Sequence, residues 1–296
     1  MELYQLKTFK AVAEEGNLTR AAGRLNASQP SVSAHIKSLE EEMGVRLFNR
    51  SRKGMQLTRE GCGLLIKAEA VLSSMADLVS EARRMQGELS GCLRIGLNGN
   101  PVFLRTREFF SAMRCSHPAI ALQLTNSNSQ CIVKYLKLEV FDGGYVLWDE
   151  PHPEIETIFL DNITTSIVAP PAWGERLAGG GLSATSGLPW IISPRGCSFR
   201  KIADELFEAH DITPSNVILA DDCATSVTLL SAEAGLSVME TDRAEELAEK
   251  GQAVIVSGLS HRLDLRFAYL GKRREDPQIA AMLEVIREIW GAPDES

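Results

Sequence analysis

Apolar residues recur at helical spacing from the start of the chain, where Leu3, Leu6, Phe9, Val12 and Ala13 define one amphipathic face that ends near Gly16. A second helix starts at Asn17 or at Leu18-Thr19. In "TRAAGRL" its inward side is short, because Ala21, Ala22 and Leu25 supply it, so it is expected to cross a neighbour closely. Asn26-Ala27 makes a turn, Ser28 is a good N-cap, and Pro30 falls in the first turn of a third helix, where a missing N–H costs nothing. Val32, Ile36 and Leu39 share the stripe expected to be buried. Pro30, Ser33, Ala34 and Lys37 then face outward, flanked by Ser31 and Ser38. Gly44 closes the helix, and Val45, Leu47 and Phe48 return to the core. The stretch "NRSRKGMQLT" reads as a hairpin, with Gly54 supplying a positive-φ turn and Arg50, Arg52 and Lys53 on its arm and tip.

From Thr58 the pattern becomes one long helix. Leu64, Val71, Leu78 and Met85 repeat every seven residues, and Ala68, Met75 and Ala82 fall four later, a two-stripe seam suited to pairing with a second copy. About 29 residues at about 1.5 Å each give a rod of roughly 43 Å. "GELSG" follows as a hinge. Beyond it, strand-like runs alternate with helical ones: "LRIGL", Ala119–Thr125, "GGYVLW", "TTSIVA", "WIIS", "NVILA", "LSVME", "AVIVS" and "LRFAYL", with helices from Val102 to Cys115 and up to Leu138. This alternation predicts an α/β domain with a parallel sheet, whose ligands gather beyond the carboxyl ends of the strands. Gly143-Gly144 in the third run predicts a less regular strand.

Composition is that of an ordinary soluble chain of two or three domains, at 44% hydrophobic and 24% charged over 296 residues. With no membrane span and no leader pattern in the sequence, a cytoplasmic location is expected. The net charge of −8 conceals a partition: residues 1–58 carry nine Lys/Arg against six Glu, a net +3, which leaves −11 for the remainder. A cationic module fused to an acidic body is what a phosphate-binding reader requires. The six cysteines show neither a C-x-x-C nor a histidine at ligand spacing, so reduced, mostly buried thiols are expected, without metal or cofactor.

A helix face built from Gln29, Pro30, Ser31, Ser33, Ala34 and Lys37 is unlike a solvated one, which carries Glu/Lys pairs; small side chains let its backbone approach bases in a major groove about 12 Å wide. With the basic hairpin beside it, this is a winged helix-turn-helix. Residues 3–61 resemble the DNA-binding domain of the LysR-type transcriptional regulators. The pattern is carried by Phe9, Gly16, Thr19, Ala21, Ala22, Leu25, Ser28, Gln29, Pro30, Ser31, Val32, Ser33, Leu39, Glu40, Gly44, Leu47, Phe48, Arg50 and Thr58, with Ala34 where a larger polar residue is often found. The resemblance implies base and phosphate contact by Gln29, Ser31, Ser33, Ala34 and Lys37, with Arg50 and Arg52 on the DNA backbone. It also implies a homodimer assembling into a homotetramer on a pseudo-palindromic promoter site, with RNA polymerase as a further expected partner. "CLRIG", "HPAIALQL", "FDGGYVL", "AEAGLSVM" and "FAYLGKRREDPQIAAMLEVI" extend it to the effector domain, which is similar to a periplasmic binding protein.

The expected organisation is therefore a reader (1–58), a linker helix and hinge (59–88) and an effector domain (89–296), the last split into one subdomain of about 89–161 plus 265–296 and another of about 162–264. Loop position nominates Asn98, Gly99, Asn100, Ser127, Asn128, Ser129, Arg195, Cys197, Ser198, Asp222, Cys223 and Thr225 as cleft residues. Each singly is also an ordinary loop or cap residue. Together they favour a small polar effector, and Arg195 near a helix N-terminus favours an organic acid or amino acid, while Asp222 would suit an amine. Cys197, between Arg195 and Arg200, offers an alternative as a redox-sensing thiol, although its next partner sulfur is distant in sequence, at Cys223. Catalysis on a binding-protein-like fold is the other class, but G-x-S-x-G, H-E-x-x-H and G-x-x-x-x-G-K-[ST] are all lacking, so no enzyme is expected.

Overall fold

The computed structural model describes residues 1–51, 54–84, 89–148 and 151–293. Arg52, Lys53 and Met85, three of the expected site residues, lie outside them. The first helices are α1 (Leu3–Glu15), α2 (Leu18–Arg24) and α3 (Gln29–Met43), followed by the hairpin strands β1 (Phe48–Ser51) and β2 (Gly54–Leu57) and the long helix α4 (Arg59–Arg84). Their starts are fixed by side chains: Asn17 Oδ1 accepts from the Thr19 and Arg20 amides, and Ser28 Oγ from the Ser31 amide. Ala21 and Ala22 are buried, as their size requires, in one core with Phe9, Val12, Val32, Ile36, Leu39 and Leu47. Glu40 reaches from α3 to accept from the Leu47 and Phe48 amides at 2.7 and 3.2 Å, which fixes the start of the hairpin to α3. Gly54, at φ +118°, sits against α1; an added Cβ would lie 2.4 Å from the Gly16 carbonyl oxygen.

The body comprises β3 (Gly91–Leu97), α5 (Thr106–Ser116), β4 (Ile120–Asn126), α6 (Ser129–Lys137), β5 (Gly143–Trp148), β6 (Ile155–Ala169), α7 (Gly174–Leu177), β7 (Trp190–Ile192), α8 (Ser198–Ala209), β8 (Val217–Leu219), α9 (Cys223–Ser231), β9 (Leu236–Glu240), α10 (Thr241–Glu249), β10 (Val254–Leu270) and α11 (Pro277–Trp290). They share one eight-stranded sheet in the order β4-β3-β5-β10-β6-β9-β7-β8. Two parallel trios, β4-β3-β5 and β9-β7-β8, are joined by β6 and β10, which run antiparallel to each other along most of their length. The all-parallel expectation is thus corrected: "AVIVS" and "LRFAYL" belong to one continuous strand, and "TTSIVA" is the second half of another. The expected subdomain borders fall inside β6 and β10, where Asp161 pairs with Leu265 and Asn162 with Asp264. On one side Leu93, Ile95, Phe109, Tyr145, Phe267 and Met282 form the core, and on the other Ile167, Trp190, Ile192, Leu206 and Leu236.

Two further expectations change. The helix after β3 starts at Thr106 rather than Val102, because Arg105 takes a left-handed φ of 49° and breaks the run. β5 is regular, paired to β3 through Gly143 and Gly144 and to β10 from Gly144 to Trp148. The glycines there answer a packing demand: a Cβ on Gly143 would lie 2.5 Å from Phe267 Cζ, and one on Gly144 2.5 Å from Ile132 Cγ2. Gly143→Val is expected to cost about 1–3 kcal/mol by overpacking, seen as a lower denaturation midpoint of the full chain.

Candidate nucleic-acid interface and effector cleft

On α3, Gln29, Pro30, Ser31, Ala34 and Lys37 are exposed and Ser33 is half-buried, on the side opposite the buried Val32, Ile36 and Leu39. The hydroxyls of Ser28 and Ser31 lie 2.8 Å apart, so Ser31 is held at the helix start. Lys37 lies 3.5 Å from Glu41, an exposed i,i+4 pair that is readily exchanged for a phosphate. Ser38 accepts instead from Gln5 Nε2 and ties α3 to α1. Arg50 is exposed on β1, paired across the hairpin with Met55.

The heptad seam of α4 divides. Ala68 is buried in the reader's own core, with Leu64 half-buried against it, whereas Val71 and Leu78 are 46% and 70% exposed and Met75 is intermediate. Within one chain Leu64 and Ala68 therefore face the reader, and the first turns of α4 complete its core. The exposed apolar surface lies further along, and it includes Val79.

The expected cleft residues also divide. A groove of about 1070 Å³ between α6 and α8 is lined by Ser129, Arg195, Cys197 and Ser198, together with Gln130 and Lys134, which sequence reasoning did not single out. Asn98 joins it indirectly, its Nδ2 donating to Ser129 Oγ at 2.7 Å, and Ser129 Oγ also accepts from the Leu147 amide. Gly196 and Gln130 meet across the groove, since a Cβ on Gly196 would lie 2.5 Å from Gln130 Oε1. The other candidates hold backbone elsewhere. Asn128 Oδ1 accepts from the Cys131 amide, Asn100 Oδ1 from the Val102 amide, and the Ser127 amide donates to the Leu97 carbonyl. Gly99 occupies the turn after β3 at φ +143°. Asp222 is the N-cap of α9, and hydrogen bonds from Thr225 hold its carboxyl below the usual carboxylate range. Asp222 and Thr225 bond to each other, and neither lines the α6–α8 groove.

All six cysteines are free, and none is fully buried: Cys62, Cys115 and Cys223 are exposed, and Cys92, Cys131 and Cys197 are intermediate. This corrects the expectation of mostly buried thiols. Cys197 takes the N-cap position of α8 without making a side-chain cap hydrogen bond.

The most ordered polar cluster went unforeseen. Asp142 is 2% exposed and accepts from the Arg94 amide, from Arg94 Nε and Nη2 at 2.8 and 2.9 Å, and from Arg273 Nη1 at 2.7 Å. Arg94 Nη2 also donates to Asp77 of α4 at 3.0 Å. Burial works to lower the Arg94 and Arg273 pKa values, but the carboxylates together outweigh it and raise both, Asp142 with Asp77 on Arg94 and Asp142 with Asp276 on Arg273. A lone arginine in the otherwise apolar "CLRIG" was the available signal.

Among the described residues no helix is long and apolar enough to cross a membrane. Residues 3–62 match the family profile described as bacterial regulatory helix-turn-helix protein, lysR family, and residues 86–291 match the LysR substrate binding domain. The uncharacterized HTH-type transcriptional regulator YusT of Bacillus subtilis (strain 168) is 28% identical over 243 residues, 81% of this chain and 79% of that protein. The RuBisCO operon transcriptional regulator of Allochromatium vinosum is 26% identical over 293 residues, 97% of this chain and 95% of that protein. In fold, the chain is similar to full-length CbnR in complex with its target DNA, at a TM-score of 0.66 and 23% identity, covering 97% and 99% of the two chains. With both profiles matched in order along nearly its whole length, the chain belongs to the LysR family and is a DNA-binding transcriptional regulator with an effector-binding domain.

Proposed function

We propose that the chain reads a pseudo-palindromic promoter site as a symmetric dimer, itself paired into a tetramer, under the control of a small organic acid or amino acid. The observation that carries the DNA reading is the exposed face of α3, where Gln29, Pro30, Ser31, Ala34 and Lys37 reach solvent opposite the buried Val32, Ile36 and Leu39. Gln29, Pro30, Ser31, Ser33 and Ala34 approach base edges, while Lys37, Arg50, Arg52 and Lys53 neutralise phosphates. Val71, Met75 and Leu78, with Ala82 and Met85 beyond them, pair with a second copy. Two readers then stand about one helical turn apart. The effector lies in the α6–α8 groove against Ser129, Arg195 and Ser198, where Arg195 and the start of α8 receive a carboxylate. Its binding changes transcription only through unequal affinity for two arrangements of the assembly.

Fluorescence anisotropy with duplexes flanking the chain's own coding region tests the reading. Tight binding to one of them is expected, weakening steeply as salt rises because counterions are released. Absence of binding to every flanking duplex at modest ionic strength overturns it. A thermal-shift screen of organic acids and amino acids on the full chain then identifies the effector as the compound that raises the unfolding temperature.

A further inference from the structure

The linker helix α4 has three faces. Leu64, Ala68 and Leu72 pack into the reader core, and Val71, Leu78 and Val79 are exposed. The third face, Ala70, Ser73 and Asp77, is spaced i, i+3, i+7 and lies against the chain's own effector domain. Ala70 packs on the cluster of Ile132, Val133 and Phe141. Ser73 is 8% exposed and its hydroxyl donates to the Glu139 carbonyl at 3.0 Å. Asp77 accepts from Arg94 Nη2 at 3.0 and 3.3 Å.

The Asp77 contact joins an ion-pair cluster of the effector domain. Inside the effector domain Arg94 and Arg273 share the buried carboxylate of Asp142, and each has one further carboxylate partner: Arg273 finds Asp276 of its own domain at 2.8 Å, Arg94 finds Asp77 of α4. The second carboxylate on Arg94 thus comes from another module. At 40% side-chain exposure it stands at the solvent edge, where an ion pair biases an arrangement without locking it. The seam around it is also incompletely filled: a cavity of about 300 Å³, lined by Lys10, Glu69, Asp77, Cys92, Arg94 and Tyr135, separates α1 and α4 from the body. Lys10 of α1 and Glu69 of α4, 3.6 Å apart, line the same cavity.

We infer that Asp77 is a positioning residue for DNA readout: with Ser73 it clamps the linker helix to the effector domain through Arg94 and the Glu139 turn, and so sets the angle at which the reader is presented. The inference rests on the DNA-binding reading but has a consequence that needs no DNA. In hydrogen-exchange mass spectrometry of the full chain, Asp77→Asn should raise exchange in the 138–142 turn and in residues 70–77 at least about tenfold, and Asp77→Glu should restore much of the protection. On DNA, the wild-type chain should prefer the half-site spacing in the duplex it selects from a random pool over the same duplex lengthened by five base pairs. Asp77→Asn should lose most of that preference while binding a single half-site within about twofold of wild type. Should Asp77→Asn fail to fold, Ser73→Ala, which removes the neighbouring clamp contact, takes its place in both assays. Unchanged exchange removes the clamp. Changed exchange with unchanged spacing preference leaves a purely structural contact and overturns the positioning role. A wild-type chain that selects no duplex overturns the DNA reading itself, a result separable from either.

Discussion

Ala34→Trp is expected to reduce specific DNA affinity about a thousandfold, to the level of non-specific binding, with no change in unfolding temperature. Ala34 is exposed on the outer face of α3 and belongs to none of the reader's buried clusters, so the larger side chain meets no packed neighbour inside the protein. Outside it meets a groove about 12 Å wide that a helix of about 10–12 Å already fills. The indole therefore holds the helix away from the base edges while phosphate contacts from Lys37 and Arg50 persist. Anisotropy with the selected duplex and a scrambled duplex separates the two effects: the first titration should collapse onto the second. Specific binding retained by Ala34→Trp would mean that α3 does not enter the groove along this face.

The second large effect belongs to the effector domain. Asp142→Asn is expected to destabilise it by about 3–5 kcal/mol, because removing one member of a buried charge cluster strands the others. The carboxylate has four donors within 2.9 Å, three from Arg94 and one from Arg273, and an amide replaces one acceptor oxygen with a further donor facing guanidinium. Chemical denaturation followed by tryptophan fluorescence should show the loss, since Trp190 and Trp290 both lie in this domain. A change of less than 1 kcal/mol would show that water reaches the cluster. Asp77→Asn, at the solvent edge of the same cluster, should cost far less than Asp142→Asn.

The reader was legible in the sequence almost residue by residue, because its structure is written in local signals. Asn17 and Ser28 cap the helices they precede, Val32, Ile36 and Leu39 form one buried stripe, and Ala21-Ala22 marks a close crossing. What failed to show depends on partners distant in sequence. Nothing near Gly143 indicates Phe267, 124 positions later, as the reason for a glycine. The strand direction of "LRFAYL" is set by its long pairing with β6, and an apolar run carries no mark of parallel or antiparallel neighbours. The lining of the α6–α8 groove was only partly legible for a related reason. Loops after strands gather near one another in any such sheet, but which loop residues are consumed as caps, as Asn128 and Asp222 are, is decided by a few ångströms of backbone.

The crossing strands also govern the order in which the protein becomes itself during translation. The reader is complete once α4 has left the ribosome, so a nascent chain carries a finished DNA-facing module while most of its mass is still unmade. The first subdomain must wait: β5 needs β10 as its neighbour, and the core around Phe267 needs Met282 from the final helix. Such late, non-local closure is slow and leaves apolar strands uncovered in the interim. A truncation that removes only α11 should therefore abolish the effector domain while sparing the reader, and production of soluble protein will depend on the last turn of the chain more than on any turn in its middle.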